Sequence, residues 1–122
     1  MSGSRTDRRS ERGRTGEDAA LRVYERRGFA LVARNWRCSF GELDLIIVRR
    51  GLLVVCEVKT RSGAAFGGGY EAVTRAKRRK VRTLADAFLQ GNAFEHARVR
   101  FDVASVWLGA RGADVEIFED AF

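Results

Sequence analysis

The 122-residue chain has one histidine, His96, and two cysteines, Cys38 and Cys56. That scarcity excludes the familiar zinc ligand sets and any catalytic device that needs two imidazoles. The N-terminal MSGSRTDRRSERGRTG has no apolar core and so does not form a secretory signal. No apolar run approaches the roughly 20 residues of a membrane span. A cytoplasmic protein with reduced, buried thiols is expected. Lysine is scarce too: Lys59, Lys77 and Lys80 stand against twenty arginines. Where arginine has replaced lysine almost everywhere, each lysine that survives is informative.

The net charge is +7, unevenly spread. Residues 1–14 carry five arginines against Asp7 and Glu11, and read as a disordered basic tail. Residues 15–122 read as a single domain, long enough to bury roughly two-thirds of its unfolded surface. A short acidic segment closes it, with Asp114, Glu116, Glu119 and Asp120. A basic body suits a polyanionic partner. Solubilising charge is the competing reading.

Thr15-x-x-Asp18 reads as the cap of a first helix and Gly28 as its C-terminal stop, with Ala20, Leu21 and Tyr24 inward. Strands are expected at 29–37, 42–49 and 52–59. In the hairpin they form, Ile46, Val48, Leu53 and Val55 share one face. Leu43, Leu45, Ile47, Leu52, Val54, Cys56 and Val58 share the other. Both faces are apolar, so the hairpin is central. A glycine-rich loop with Phe66 and Gly67–Gly69 starts at Thr60. A second helix runs from Glu71 or Thr74 to Gln90, with Val73, Ala76, Val81, Leu84 and Phe88 inward. A strand at 98–108 and a short edge strand at 115–118 complete the order α-β-β-β-α-β-β. This is an α/β chain with a mixed sheet flanked by helices, and its 52–108 unit is a parallel crossover.

Polar residues that interrupt the buried pattern mark the candidate site. If Arg50-Gly51 is a two-residue turn, Asp44 faces Glu57 and Glu42 faces Lys59. Carboxylates placed opposite one another repel unless a cation or proton sits between them. A hard divalent ion is one solution. Lys59 lies on the same face as Glu57, and Glu17 lies on the inward stripe of the first helix. Each alone has a bland reading, as a solvated strand edge, a hairpin polar position or a first-turn dipole residue. Their combination at one end of the hairpin is read as a site. Arg75, Arg78, Arg79 and Arg82 form a helical stripe suited to a phosphate backbone, or a solvated face. Arg100 and Asp102 interrupt a buried strand and read as pairing with each other or with a loop.

Glu17, Asp44 and the Glu57-x-Lys59 string resemble the PD-(D/E)xK nuclease core. More closely, the chain resembles the YraN-like bacterial family. The matching strings are Gly16-Glu17, Asn35-Trp36-Arg37, GELDLI at 41–46, CEVKTR at 56–61 and RFDV at 100–103. The resemblance implies a restriction-endonuclease-like fold, similar to Holliday junction resolvases, and metal-dependent hydrolysis of branched or structured DNA, with DNA favoured over RNA. Asp44 and Glu57 would bind Mg²⁺ or Mn²⁺, Glu17 would be an accessory ligand, and Lys59 would act on the attacking water. Arg61, in the last matching string of that strand, joins the candidate phosphate contacts. Homodimers on DNA are common in that superfamily. The namesake proline is Leu43 here. A non-catalytic nucleic-acid-binding module and an accessory subunit are the alternatives.

Overall fold

The computed structural model describes residues 4–62, 75–91 and 98–122. Phe66, Gly67–Gly69, Glu71, Val73, Thr74 and His96 lie outside them. Seven elements follow in the expected order: α1 (Ser4–Arg26), β1 (Ala30–Cys38), β2 (Gly41–Arg49), β3 (Leu52–Ser62), α2 (Arg75–Gln90), β4 (Arg98–Gly109) and β5 (Gly112–Phe118). The sheet order is β1-β2-β3-β4-β5. β3 and β4 are parallel and lie either side of α2 in the chain; the other pairs are antiparallel. β3 continues past Lys59 to Ser62 because the twelve-residue β4 offers it partners as far as Leu108.

α1 starts at Ser4, eleven residues before the Thr15 at which the sequence reading opens it. Thr15 does not cap; its hydroxyl donates to the Glu11 carbonyl one turn back, at 2.8 Å. The segment is rich in arginine and contains no proline, so nothing local forbids helix there. What it lacks is an apolar stripe, and that governs packing rather than helicity. The helix ends at Gly28, as expected. Gly28 takes φ +91°, its N–H donates to Glu25 at 3.0 Å, and the Phe29 N–H donates to Tyr24 at 3.0 Å. This is a Schellman closure. Its hydrophobic contact is the edge-to-face pair of Tyr24 and Phe29, with centroids 5.4 Å apart.

Gly16 lets α1 approach β3. A Cβ there would overlap the Thr60 hydroxyl and stand 3.0 Å from both Thr60 Cβ and Cγ2. Rotating the Thr60 side chain leaves its Cβ at 3.0 Å. Gly16→Ala should therefore destabilise the fold by roughly 1–3 kcal/mol, because overpacking outweighs the gain of about 1 kcal/mol in helix propensity. Urea denaturation checks this, and a stabilised variant would contradict the close approach.

The central hairpin is covered on both sides. Leu45, Ile47, Val54 and Cys56 pack with Ala19, Ala20 and Tyr24 of α1. Ile46, Leu53 and Val55 pack with Val81, Leu84 and Phe88 of α2. Leu43 departs from its expected face and joins the α2 side. Two neighbours on one face three residues apart, Leu43 and Ile46, mean that β2 breaks its alternation around Asp44. The facing position on β1 is Asn35, whose backbone is left-handed at φ 51°. Ala76, expected inward, is exposed.

β5 spans seven residues, longer than expected, and pairs along β4 through a two-residue connection. Beyond it, Phe122 tucks against the α2 side of the core. Its ring stacks on Phe101 with centroids 6.1 Å apart, and the Ala121 N–H donates to the Phe101 carbonyl at 2.8 Å.

Candidate functional site

Arg50 and Gly51 both take positive φ, 47° and 78°, so the hairpin turn is type I′. The register is the one that sets Asp44 against Glu57, but the ladder closes with Leu45↔Cys56. Beyond that pair the Asp44 side chain substitutes for the missing strand contact. Its Oδ2 accepts the Val58 N–H at 2.9 Å. The carboxylates thus sit where β2 and β3 cease pairing. Glu42 turns toward β1 instead, reaching Arg37 at 3.6 Å.

Glu57 is the most perturbed of these acids. Burial, and then the charge of Asp44, push its carboxyl up to about 7. Lys77 and Lys59 act in the opposite direction. Its Oε2 is buried and accepts no hydrogen bond. Asp44 is likewise raised, first by burial; the Val58 N–H opposes this and Glu17 and Glu42 add to it. Two desolvated carboxylates, the charge of Asp44 raising Glu57 and one of them with an unpartnered oxygen, fit a divalent cation. Among the described residues, however, no three His, Cys, Asp or Glu side chains assemble into a metal-holding group.

The raised Glu57 gives a testable stability profile. A carboxyl held above its ordinary value contributes fully at pH below about 4.5 and loses that contribution as pH rises through about 7. In chelator, the protein should therefore melt lower at pH 8 than at pH 5. Glu57→Gln should flatten the difference, gaining on the order of 1–2 kcal/mol at pH 8 after discounting for residual solvent access. Thermal melts at the two pH values decide it; an unchanged profile in the variant would mean that Glu57 is ordinary.

Glu17 is 8% exposed and, among the described residues, forms no three-carboxylate group with Asp44 and Glu57. Its Oε1 accepts from Asn35 Nδ2 at 3.1 Å and from Arg34 Nη2 at 3.2 Å. It lines an adjoining pocket with Gly13, Arg14, Asn35 and Arg37. Its influence on Asp44 is electrostatic.

A cleft of about 500 Å³ opens on the α2 side. Arg37, Cys38, Glu42 and Glu57 line it from the sheet, and Lys77, Lys80, Val81 and Leu84 line it from α2. Gly41 forms part of its wall, where an added Cβ would stand 3.2–3.3 Å from Leu84 and Lys80. Lys77 and Lys80 thus line the cleft, and Lys59 acts electrostatically on Glu57. The string 35–37 also resolves into roles. Asn35 holds Glu17, Trp36 packs edge-to-face on Phe88 at 5.4 Å, and Arg37 borders both pockets. Cys38 is partly exposed at the cleft rather than buried, whereas Cys56 is buried and its thiol is pushed far up by burial.

The arginine stripe does not face this cleft. At 100° per residue, Arg75, Arg78, Arg79 and Arg82 lie on the side of α2 opposite Lys77, Lys80, Val81 and Leu84. Arg75, Arg78 and Arg79 are exposed. Arg82 donates to the Phe122 main-chain oxygen at 3.2 Å and lies 5.0 Å from the Phe101 ring centroid. Arg61 stacks over Trp107 at 5.6 Å. These two are engaged within the fold.

Residues 16–106 match the model of the uncharacterised protein family UPF0102. A UPF0102 protein of Clavibacter michiganensis is 42% identical over 115 residues, covering 93% of this chain and 98% of that protein. One from Parafrankia is 45% identical over 101 residues, covering 83% and 86%. One from Mycolicibacterium smegmatis is 45% identical over 111 residues, covering 89% of each. The family match and these near-full-length relatives agree with the YraN-like resemblance of the carboxylate and lysine strings, and the chain belongs to the UPF0102 family.

Proposed function

We propose that this protein is a divalent-metal-dependent nuclease that hydrolyses DNA phosphodiester bonds, acting on branched or otherwise structured DNA. The observation that carries the reading is the buried, mutually repelling pair Asp44 and Glu57, with its unpartnered oxygen, beside a lysine-lined cleft. Asp44 and Glu57 would hold Mg²⁺ or Mn²⁺, which when bound supplies positive charge and a water of lowered pKa. The rest falls to the chain's own residues. Lys77 and Lys80 receive the phosphate backbone entering the cleft. The Lys59 ammonium offsets negative charge growing on the phosphoryl oxygens and orients the attacking water. Val58, through its N–H, fixes the Asp44 carboxylate. Glu17, fixed by Arg34 and Asn35, sets the field at Asp44 and stands ready as an accessory ligand through water.

The lack of a third ligand beside the pair, among the described residues, favours one other reading. In it the same fold binds nucleic acid without turnover, or serves as a subunit completed by a partner.

The test compares the protein with Lys59→Ala on labelled four-way junctions, flaps, linear duplex and single strands, in Mg²⁺, Mn²⁺ or EDTA. Metal-dependent cutting is expected, with a loss of about 10²-fold or more in the variant. Cutting that persists in EDTA, or that ignores Lys59, overturns the mechanism. Salt-sensitive binding with no cutting supports the second reading.

A further inference from the structure

The opposite end of the sheet carries a second concentration of positive charge. A cavity of about 530 Å³ is lined by Arg27, Gly28, Val48, Arg49 and Arg50. Arg98 starts β4 beside it, its N–H donating to the Gly51 carbonyl at 3.0 Å. Arg26 ends α1 next to Arg27. Three details distinguish this cluster from scattered surface charge. Arg49 is fixed in place, with Nη1 donating to the Arg27 carbonyl at 2.5 Å and the guanidinium 4.7 Å from the Phe29 ring centroid. Arg50 holds a long side chain at φ 47°, in a turn position that asparagine, aspartate or glycine fills without strain. Among the described residues, the acid paired here, Glu119, contacts Arg27 at 3.5 Å with both side chains about half exposed.

We propose that this arginine pole is a second phosphate-binding site, which grips the backbone of a duplex arm extending from the cleft. The inference rests on the nucleic-acid reading above and adds a substrate element to it. Arg49 lies five positions along β2 from Asp44, which is about 17 Å along an extended strand. At about 3.4 Å per base pair, that distance is some five base pairs of duplex. A guanidinium matches phosphate in a bidentate way; Arg49 is held by the Arg27 carbonyl and the Phe29 ring, and the exposed Arg27 and Arg50 flank it. The substrate class is therefore DNA with a double-stranded arm of at least half a turn beside the position of cleavage.

The experiment measures binding of labelled duplex to the full chain in EDTA over a range of salt concentrations, so that cleavage cannot enter. The variants are Arg27→Gln/Arg50→Asn and, at the cleft, Lys77→Gln/Lys80→Gln. Asparagine tolerates the left-handed turn, so the pole variant should fold, and Arg50→Asn alone provides a second variant. Losing two phosphate contacts should flatten the slope of log K against log salt by about 1.8, and the single variant by about 0.9. An arm cut below about five base pairs should abolish the difference between wild type and the pole variant. A folded pole variant with the wild-type slope, or no duplex binding by the wild type, overturns the proposal. A slope that responds to the pole but not to the cleft lysines supports the second site and counts against the cleft as the place where DNA is held. If the separate assay in Mg²⁺ or Mn²⁺ shows no cleavage while the pole effect on binding is intact, that counts against the nuclease reading alone.

Discussion

Asp44→Asn is expected to reduce metal-dependent cleavage by about 10³-fold or more, a loss of some 4 kcal/mol in the barrier. The substitution is nearly isosteric, and the amide oxygen can still accept the Val58 N–H. What disappears is the negative charge, and with it one of two carboxylates available to a cation. The same change removes a charge that raises Glu57, so the Glu57 carboxyl should return toward its ordinary range. Two measurements separate chemistry from folding. Cleavage should collapse, while duplex binding in EDTA should stay within about threefold of wild type or tighten, since a repulsive charge near phosphate is gone. A variant that cuts normally would show that Asp44 holds no essential ion. A variant that neither cuts nor binds, yet melts normally, would place Asp44 in substrate recognition instead.

Asp102→Ala should have the largest effect on stability, about 3–5 kcal/mol. Asp102 is fully buried on β4. Its carboxylate accepts the Tyr24 hydroxyl at 2.7 Å, the Arg100 guanidinium through two bonds at 2.9 and 3.0 Å, and the Asp120 N–H at 3.0 Å. One side chain thereby ties α1, β4 and the segment after β5 together. Burial, with Cys56 and Asp102 nearby, pushes the Tyr24 hydroxyl far above its usual range, so it remains a donor. Alanine would strand that donor, the Arg100 fork and a backbone N–H at once, which is why the loss exceeds that of a typical single hydrogen bond. Against a total stability of about 5–15 kcal/mol this is a large fraction. Urea denaturation gives the value. A change below about 1 kcal/mol would mean that water or a shifted Arg100 replaces the carboxylate without difficulty.

Rules that act over a few residues made much of the molecule legible in its sequence. Glycine at the end of an amphipathic segment stops the helix at Gly28 because the closing residue must be left-handed. Arg50-Gly51 between two apolar runs fixes a two-residue turn, and the turn fixes the register that brings Asp44 toward Glu57. Apolar residues on both faces of β2 and β3 require a layer on each side, and α1 and α2 provide them. The carboxylates and Lys59 were legible because they interrupt that pattern.

Tertiary structure decided what local rules do not reach. Leu43 changes face because β2 breaks its alternation opposite the left-handed Asn35, a coupling between two strands that no single strand's periodicity contains. Glu17 lies inward as its helical spacing says, but its partners, Arg34 and Asn35, come from β1, which the helix by itself does not reveal. Lys77 and Lys80 become cleft residues, and the arginine stripe its far side, only when Val81 and Leu84 fix the rotation of α2 on the sheet. Asp102 was legible as half of a pair with Arg100. Its tie to Tyr24 spans 78 positions of chain and depends on α1 crossing β4. The sequence by itself determined the elements, the turn and the residues able to do chemistry, because those follow from short-range sterics and the cost of burying charge. Which of those residues meet was left to packing between layers, where a helix rotation or a one-residue break in a strand redirects every side chain that follows.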